Sequence, residues 1–370
     1  MESSFLSVVD LDGTFAAGDP AVRKKVRAML ESMGAFVFCT ARTPELVMSR
    51  RSYELSKSLA GFTRSEPTWL VSDGVRFDAP LDTLPADEKD PDAILSFGQG
   101  IYIGGLGHEQ SGARPYFCDQ EYRYRYLDPV DSNGNLLAGK PWLAHMRELL
   151  QELNLQETRF DNVDETDFRT QVDFYGKDAV IKKYEALAAI EAKVPQALRG
   201  RLEGVDESKP SDDPEKNRAT LYGLPPQIRK ENMINYALSQ ACRAIGRSVG
   251  SISGLIIGDT LTDFYAACHA GWDADMTGII VGGSRISKCI EEKTNFAGVD
   301  LRRWHAQLEP TGRRGFYTFN NPAARGGWIK NGPTRLVVLG DQAYPGTIGS
   351  ETIEAYLLDR EVQKLRTSAH

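Results

Sequence analysis

Short apolar runs alternate with helical stripes in the first part of the chain. The runs Phe5–Val9, Ala35–Thr40 and Trp69–Ser72 are each followed by polar residues or glycine. Continuous apolar runs of this length are typical of parallel strands that are buried on both faces. Between the first two runs, apolar residues from Val22 to Met33 recur at helical spacing. Repeated strand-then-helix units predict a parallel sheet with right-handed crossovers, whose polar strand ends lie at one edge.

This alternation is lost between about residue 80 and residue 225. The segment Phe168–Tyr175 alternates like a half-buried strand, and Asp178 is placed to cap the helix that follows. The charged, proline-containing stretch Glu207–Thr220 predicts a loop or linker. The glycines between Gly98 and Gly107 are expected in a loop, because their spacing is not that of a dinucleotide-binding turn. These mixed features predict a separate α+β unit.

Alternation resumes after residue 225. A helix is expected from about Arg229 to Ile245, strands at Ser253–Ile257, Gly278–Val281 and Arg335–Leu339, and a closing helix capped by Ser350. We therefore predict an α/β fold with a Rossmann-like parallel sheet. Its core comprises residues 1–79 and 226–370, the second part with a C-terminal extension, and residues 80–225 are inserted between them.

Composition narrows the class of protein. The 370 residues are 41% hydrophobic and 26% charged, which is ordinary for a soluble globular protein. The net charge of -7 and the lack of a long basic run argue against a nucleic-acid partner and against an anionic membrane surface. The five cysteines are scattered and contain no C-x-x-C pair, so neither a disulfide framework nor a thiolate zinc site is expected. No apolar run reaches the length of a membrane span or forms an N-terminal signal segment, and a cytoplasmic protein is the expectation.

The end of the first strand carries the first candidate chemistry. Asp10 and Asp12 are two residues apart and point to the same side if the chain stays extended, and Gly13 permits a tight turn beyond them. Two carboxylates this close repel each other unless a proton or a cation lies between them. Mg²⁺ prefers such oxygen ligands and usually binds together with a phosphate. The alternative is a turn with two solvated acids.

Polar groups follow other predicted strands or begin predicted helices, and each suits phosphoryl transfer. A carboxylate is a possible nucleophile, a second one a general acid and base, and a hydroxyl and an ammonium possible ligands of the phosphoryl oxygens. Each group also has a purely structural interpretation, as a helix-approach hydroxyl, a solvated cation or an acid at a helix N-terminus. The candidates are Asp10, Asp12, Thr40, Lys230, Asp259 and Asp263.

In this order the candidates resemble the four motifs of the haloacid dehalogenase superfamily of phosphohydrolases. The first motif, DxDGT, is matched by Asp10–Thr14, and the second, a strand-end Ser or Thr, by Thr40. The third, a lysine, is matched by Lys230, and the fourth, GDxxxD, by Gly258–Asp263. The match covers roughly residues 1–79 and 226–284.

The resemblance implies a role for each matched residue. Asp10 would be the nucleophile and Asp12 the general acid and base, while Thr40 and Lys230 would bind the phosphoryl group. The Mg²⁺ ligands would be Asp10, the backbone carbonyl of Asp12, Asp259 and Asp263. The implied activity is that of a phosphoric monoester hydrolase.

The position of the insertion resembles the C2 type of cap domain. The alternating strand near Phe168–Tyr175 is similar to cap strands of the sucrose-phosphatase and Cof-like branch, whose members mostly act on sugar phosphates. The chain departs from that branch at Ala41, where members often have Gly, and at Thr262, where they often have Asn. The expected partner is therefore a small phosphorylated metabolite. A phosphosugar mutase of the phosphomannomutase kind, or a binding or regulatory protein on the same scaffold, are the alternatives.

Overall fold

The computed structural model describes about half of the chain. The described residues are 4–33, 35–40, 92–96, 100–104, 117–118, 170–193, 203–209, 213–224, 230–245, 248–271, 273–293, 295–296, 299–300, 307–320 and 334–368. The expected strand at Trp69–Ser72 lies outside these residues.

The described strands and helices follow the chain in this order. The strands are β1 (Ser4–Val9), β2 (Ala35–Thr40), β3 (Asp92–Ser96), β4 (Gly100–Gly104), β5 (Phe117–Cys118), β6 (Thr170–Tyr175), β7 (Glu203–Lys209), β8 (Arg218–Leu224), β9 (Ile252–Gly258), β10 (Asp275–Ile280), β11 (Asn295–Phe296), β12 (Val299–Asp300), β13 (Leu308–Pro310), β14 (Phe316–Asn320) and β15 (Thr334–Leu339). The helices are α1 (Pro20–Met33), α2 (Ala179–Lys193), α3 (Lys230–Ile245), α4 (Leu261–His269), α5 (Arg285–Glu292), α6 (Gly340–Ala343) and α7 (Ser350–Ser368).

A sheet with a parallel centre organises the fold. Its strand order is β13-β14-β15-β10-β9-β1-β2-β3-β4-β5. The strands from β15 through β10, β9, β1 and β2 to β3 are all parallel to their neighbours. Antiparallel pairing occurs between β13 and β14, between β14 and β15, and between β4 and β5. The prediction of an α/β fold with a mainly parallel sheet is confirmed.

Both faces of this sheet are covered, which explains the continuous apolar runs. On one face, Val26 and Leu30 of α1 and Ile353 and Leu357 of α7 belong to one buried cluster with side chains of β1, β9, β10 and β15. The opposite face packs against α4 and α5 in a second cluster. Neighbouring residues of one strand belong to different clusters, as Ile279 and Ile280 of β10 do. The catalytic candidates therefore follow strands that are fixed on both sides.

The chain divides into two compact units. The first comprises Met1–Phe97, Ile101–Asp119 and Lys230–His370, and the second comprises Gly98–Gly100 and Gln120–Arg229. In the second unit, the antiparallel sheet β6-β8-β7 is accompanied by α2. Strand β3 pairs with β2 and belongs to the first unit, although it lies beyond the boundary expected near residue 80. The assignment of residues 80–225 to a cap stays a prediction.

Two local predictions are wrong. The stretch expected to be a loop or linker between Glu207 and Thr220 forms the end of β7, a short 3₁₀ turn at Pro214–Lys216 and the start of β8. Charged residues gave no hydrophobic alternation there, but β8 lies between β6 and β7 and pairs along its length with both. Gly100 and Gly104, expected in a loop, are the ends of β4.

Among the described helices, none is long and apolar enough to cross a membrane.

Replacing Leu357 by alanine tests the packing of α7 on the sheet. Leu357 is 1% exposed, and its loss should lower the free energy of unfolding by about 2 to 5 kcal/mol, because a cavity remains among the cluster side chains. The adjacent Leu358 is 47% exposed, so Leu358→Ala should change that free energy by less than about 0.5 kcal/mol. Urea unfolding of both variants measures the difference. Equal losses would show that α7 does not bury this face.

Candidate active site

Two adjacent parallel strands bring the first and fourth motifs to the same edge of the sheet. Strands β1 and β9 pair in register up to Val9 and Ile257, and the Asp10 amide donates to the Ile257 carbonyl at 2.9 Å. Asp10 is the first residue after β1, and Asp259 is the first after β9. Residues 249 positions apart in the chain thus meet where the two strands end.

A single wide turn follows Asp10 and places the loop against Asp259. The turn Leu11–Phe15 is of the π type, closed by the Ala16 amide donating to the Leu11 carbonyl at 2.9 Å. Within it, Gly13 has a φ of 72°, and a Cβ there would lie 2.0 Å from Asp259 Oδ2. The glycine therefore serves both the turn and the close approach to Asp259. The Thr14 hydroxyl donates to Asp259 Oδ1 at 3.1 Å and fixes the carboxylate from the same loop.

The third motif supplies the cation of the site. Lys230 is the first residue of α3, and its Nζ donates to Asp10 Oδ1 at 2.7 Å and to Asp263 Oδ1 at 2.6 Å. All three residues are at most 6% exposed. Removing one partner from such a buried set leaves an uncompensated charge, which is strongly unfavourable. The interpretation of Lys230 as a solvated cation is therefore wrong.

Asp263 is held from both sides. Its Oδ2 accepts the amides of Asp259, at 3.2 Å, and Thr260, at 3.0 Å, and also the Thr260 hydroxyl at 2.7 Å. Since Thr260 donates to the carboxylate, the Thr262 hydroxyl must donate to Thr260 in their 2.8 Å contact. Thr262, which departs from the motif that the sequence resembles, thus extends the hydrogen bonds around Asp263. The interpretation of Asp263 as a helix-start acid is correct as far as it goes, but the same side chain also holds Lys230.

Burial and charge compete at Asp10 and Lys230. Burial raises the pKa of Asp10 well above its ordinary value, and the carboxylates of Asp263 and Asp259 add to this, while Lys230 opposes it. Burial alone would lower the pKa of Lys230, but the carboxylates of Asp10 and Asp263 offset this and raise that pKa well above its ordinary value. The ammonium therefore keeps its charge, and the acids around it favour any further positive charge.

Cys39, the residue before Thr40, is no alternative nucleophile. Burial raises the pKa of its thiol to about 12, even though Lys230 opposes the shift. At neutral pH the thiol keeps its proton, and the thiolate is the reactive form.

The acids of the site form a set that fits a divalent cation. Asp10, Asp259 and Asp263 each offer a carboxylate oxygen, and these oxygens lie within 4.8 Å of one another. The three carboxylates outnumber the one ammonium of Lys230, so their ionised forms leave negative charge uncompensated. Clustered carboxylate oxygens are the ligands that Mg²⁺ prefers. The three carboxylates therefore fit the Mg²⁺ that the sequence predicts. Of these acids, Asp263 already accepts hydrogen bonds from Lys230, Asp259 and Thr260.

The remaining predicted residues lie at the same edge. Asp12 is half-buried in the turn after β1, with extended backbone angles. Thr40 is the last residue of β2, the other neighbour of β1, and is buried. Their predicted roles, like those of the other candidates, stay predictions. Thr14 and Thr260 were missed as site residues, although Thr14 is part of the first motif and could have been found from it.

Replacing Gly13 by alanine tests the close approach of the turn to Asp259. The positive φ makes any Cβ unfavourable by about 1 to 2 kcal/mol, and the new methyl group would also push Asp259 away from Thr14. The matched control is Gly312→Ala, because Gly312 has a φ of 87° and nothing within 4 Å of the Cβ position. We expect Gly13→Ala to lower the free energy of unfolding by about 1 kcal/mol more than Gly312→Ala, because the hydrogen bond from Thr14 to Asp259 is also lost. Equal losses of unfolding free energy in the two variants, measured by urea unfolding, would contradict the close contact between Gly13 and Asp259.

Comparisons with known proteins give only distant structural matches. No family model matches the sequence, and no curated protein matches it. Among solved structures, Plasmodium falciparum IMP-nucleotidase is similar at 10% identity and a TM-score of 0.42, over 79% of this chain and 61% of that chain. Its N-terminally truncated form is similar at 10% identity and a TM-score of 0.36, over 70% of this chain and 64% of that chain. TM0651 from Thermotoga maritima is similar at 12% identity and a TM-score of 0.33, over 76% of this chain and 90% of that chain.

These neighbours are distant, and this chain spans less than two thirds of the length of either nucleotidase chain. The resemblance to the haloacid dehalogenase superfamily depends instead on the order of the motifs and on their meeting in space. The first, third and fourth motifs are in contact at the carboxyl edge of a parallel sheet, and the second ends the strand beside them. The chain thus has an α/β fold with a mainly parallel sheet, and its motifs resemble those of the haloacid dehalogenase superfamily.

Proposed function

We propose that this protein is a Mg²⁺-dependent phosphatase of the haloacid dehalogenase superfamily, Cof-like branch. Its substrate would be a sugar phosphate or a similar small phosphorylated metabolite. The observation that carries the proposal is the contact of the Lys230 ammonium with Asp10 and Asp263 beside Asp259, below the surface. The contact supports the proposal because it brings together residues that would serve as nucleophile, as phosphate-binding cation and as metal ligands.

In the first step, an Asp10 oxygen would attack phosphorus, and the bond from phosphorus to the substrate oxygen would break. Asp12 would give its proton to that leaving oxygen. The product alcohol leaves, and the phosphoryl group stays on Asp10 as an acyl phosphate.

In the second step, water would attack the same phosphorus while Asp12 takes its proton. The bond between phosphorus and Asp10 then breaks and releases inorganic phosphate. Each group returns to its starting state, so the reaction needs only water as a second substrate.

Lys230 would serve both steps. An ammonium has three N–H donors, and among the described residues two of them go to Asp10 and Asp263. The third would bind a phosphoryl oxygen, as would the hydroxyl of Thr40. The bound Mg²⁺ would offset charge on the phosphoryl oxygens, with Asp10, the Asp12 carbonyl, Asp259 and Asp263 as its ligands.

Replacing Asp10 by asparagine tests the proposal. The purified protein should release phosphate from at least one member of a panel of sugar phosphates and nucleoside monophosphates. Chelation should stop the release and Mg²⁺ restore it. Asp10→Asn should lower kcat at least about a thousandfold, because the amide cannot form the acyl phosphate. Asp273→Asn, at an exposed acid before β10, is the matched control and should retain full activity.

Three results would contradict this proposal. No phosphate release from any panel member would favour a binding or regulatory protein. Undiminished release by Asp10→Asn would exclude the nucleophile. Conversion of one sugar phosphate isomer into another without phosphate release would identify a phosphosugar mutase instead.

A further inference from the structure

A segment near the C-terminus contacts the loop that carries Asp12. We call Thr347–Thr352, the residues before and at the start of α7, the C-terminal brace. Its Ser350 is fully buried and donates twice to the Ala17 carbonyl, from the hydroxyl at 2.7 Å and from the amide at 3.1 Å. Ala17 follows the turn Leu11–Phe15 by two residues, and 333 positions separate it from Ser350. One carbonyl thus ties the catalytic loop to the distant helix.

Backbone packing makes this contact close. Gly349 has a φ of 50°, and a Cβ on it would lie 2.5 Å from the Thr14 carbonyl oxygen. On the other side of the contact, a Cβ on Gly18 would lie 2.9 Å from both the Ile348 carbonyl and the Ser350 hydroxyl. Glycines at Gly18 and Gly349 therefore allow the two segments to approach closely, and little space remains for the loop to move.

The brace is also bonded to the sheet edge beside the fourth motif. The Gly349 amide donates to the Gly282 carbonyl at 3.2 Å, and the Gly282 amide donates to the Thr352 hydroxyl at 2.9 Å. Gly282 comes just after β10, where the Val281 amide donates to the Gly258 carbonyl at 3.0 Å. Gly258 directly precedes Asp259. The brace thus contacts the loop after Asp10 directly, and it is linked to the fourth motif through the residues that follow β10.

We propose that the C-terminal brace fixes the loop from Leu11 to Gly18 and so positions Asp12 for proton transfer, with Ser350 as the positioning residue. The positioning role rests on the proposed phosphatase function. A proton donor acts only within hydrogen-bond reach of the leaving oxygen, and a displacement of about 1 Å can cost up to a hundredfold in rate. The turn itself is closed by two backbone hydrogen bonds, from Phe15 to Asp10 and from Ala16 to Leu11. The bond from the Asp10 amide to Ile257 fixes the start of this loop, and the anchor at Ala17 fixes its end, so the turn that carries Asp12 is held from both ends.

Hydrogen exchange tests the restraint without relying on activity. In Ser350→Ala, amides in the peptide from Leu11 to Gly18 should exchange about fivefold faster or more, since a buried hydrogen bond of about 1 kcal/mol is lost. Amides of β9 should keep their wild-type rates. Ser287→Ala is the matched control, because Ser287 is also fully buried but its hydroxyl has no hydrogen-bond partner among the described residues. Unchanged exchange in the loop of Ser350→Ala would overturn the proposal.

Steady-state kinetics test the positioning role. Ser350→Ala should lower kcat about tenfold and change KM less than about twofold, because substrate binding does not need the position of Asp12. Leu357→Ala removes buried packing from the same helix without touching the brace, and well below its melting temperature it should keep the wild-type kcat. Equal losses of kcat in both variants would show that Ser350 contributes only to general stability, and would overturn its role in positioning Asp12.

The two proposals fail in different ways. Phosphate release by the wild type with an unaltered Ser350→Ala variant would leave the phosphatase standing and overturn the brace. If the wild type releases no phosphate from any substrate, the phosphatase and the positioning role both fall. The exchange experiment would then still decide whether the brace holds the loop.

Discussion

Asp10, Asp263 and Lys230 are buried together at the edge of the sheet, and the half-buried Asp259 lies beside them. Asp10, Asp259 and Asp263 repel one another, and Lys230 touches two of them at 2.7 and 2.6 Å. A buried charge without a partner is costly, so the cluster is stable only while each acid has a cation or several hydrogen-bond donors. Asp263 has the Asp259 and Thr260 amides, and Asp259 has Thr14. A divalent ion would offset the negative charge left over and would in turn attract an anionic phosphate monoester.

The surrounding structure serves to hold these charges together. Parallel strands β1 and β9 deliver Asp10 and Asp259 to the same edge, and helices α1, α7, α4 and α5 fix the sheet from both faces. Glycines occupy positions where two backbones, or a backbone and a carboxylate, approach closely. Gly13 beside Asp259 is one example. The C-terminal brace adds a contact from the far end of the chain. The geometry of the acids thus depends on segments from three separate parts of the sequence.

The sequence predicted the central strands and the membership of the cluster, for a physical reason. Strands buried on both faces are continuous apolar runs, and the carboxyl ends of parallel strands meet at one edge. The salt bridge from Lys230 to Asp263 was not predicted, because no spacing rule relates the start of one helix to the first turn of another. Strand β7 was missed because Glu203–Lys209 is mostly polar and is specified by its pairing with β8. The bond from Ser350 to Ala17 joins residues too far apart for any local pattern.

We propose that Asp10, Asp259 and Asp263 share one divalent ion. This proposal is tested most directly by anomalous scattering from crystals of the protein grown with Mn²⁺, which takes the same oxygen ligands as Mg²⁺ and is visible as a single strong peak. We expect one peak in contact with Asp10 and Asp259, beside Lys230. A peak elsewhere, or none at a Mn²⁺ concentration that supports turnover, would contradict the account.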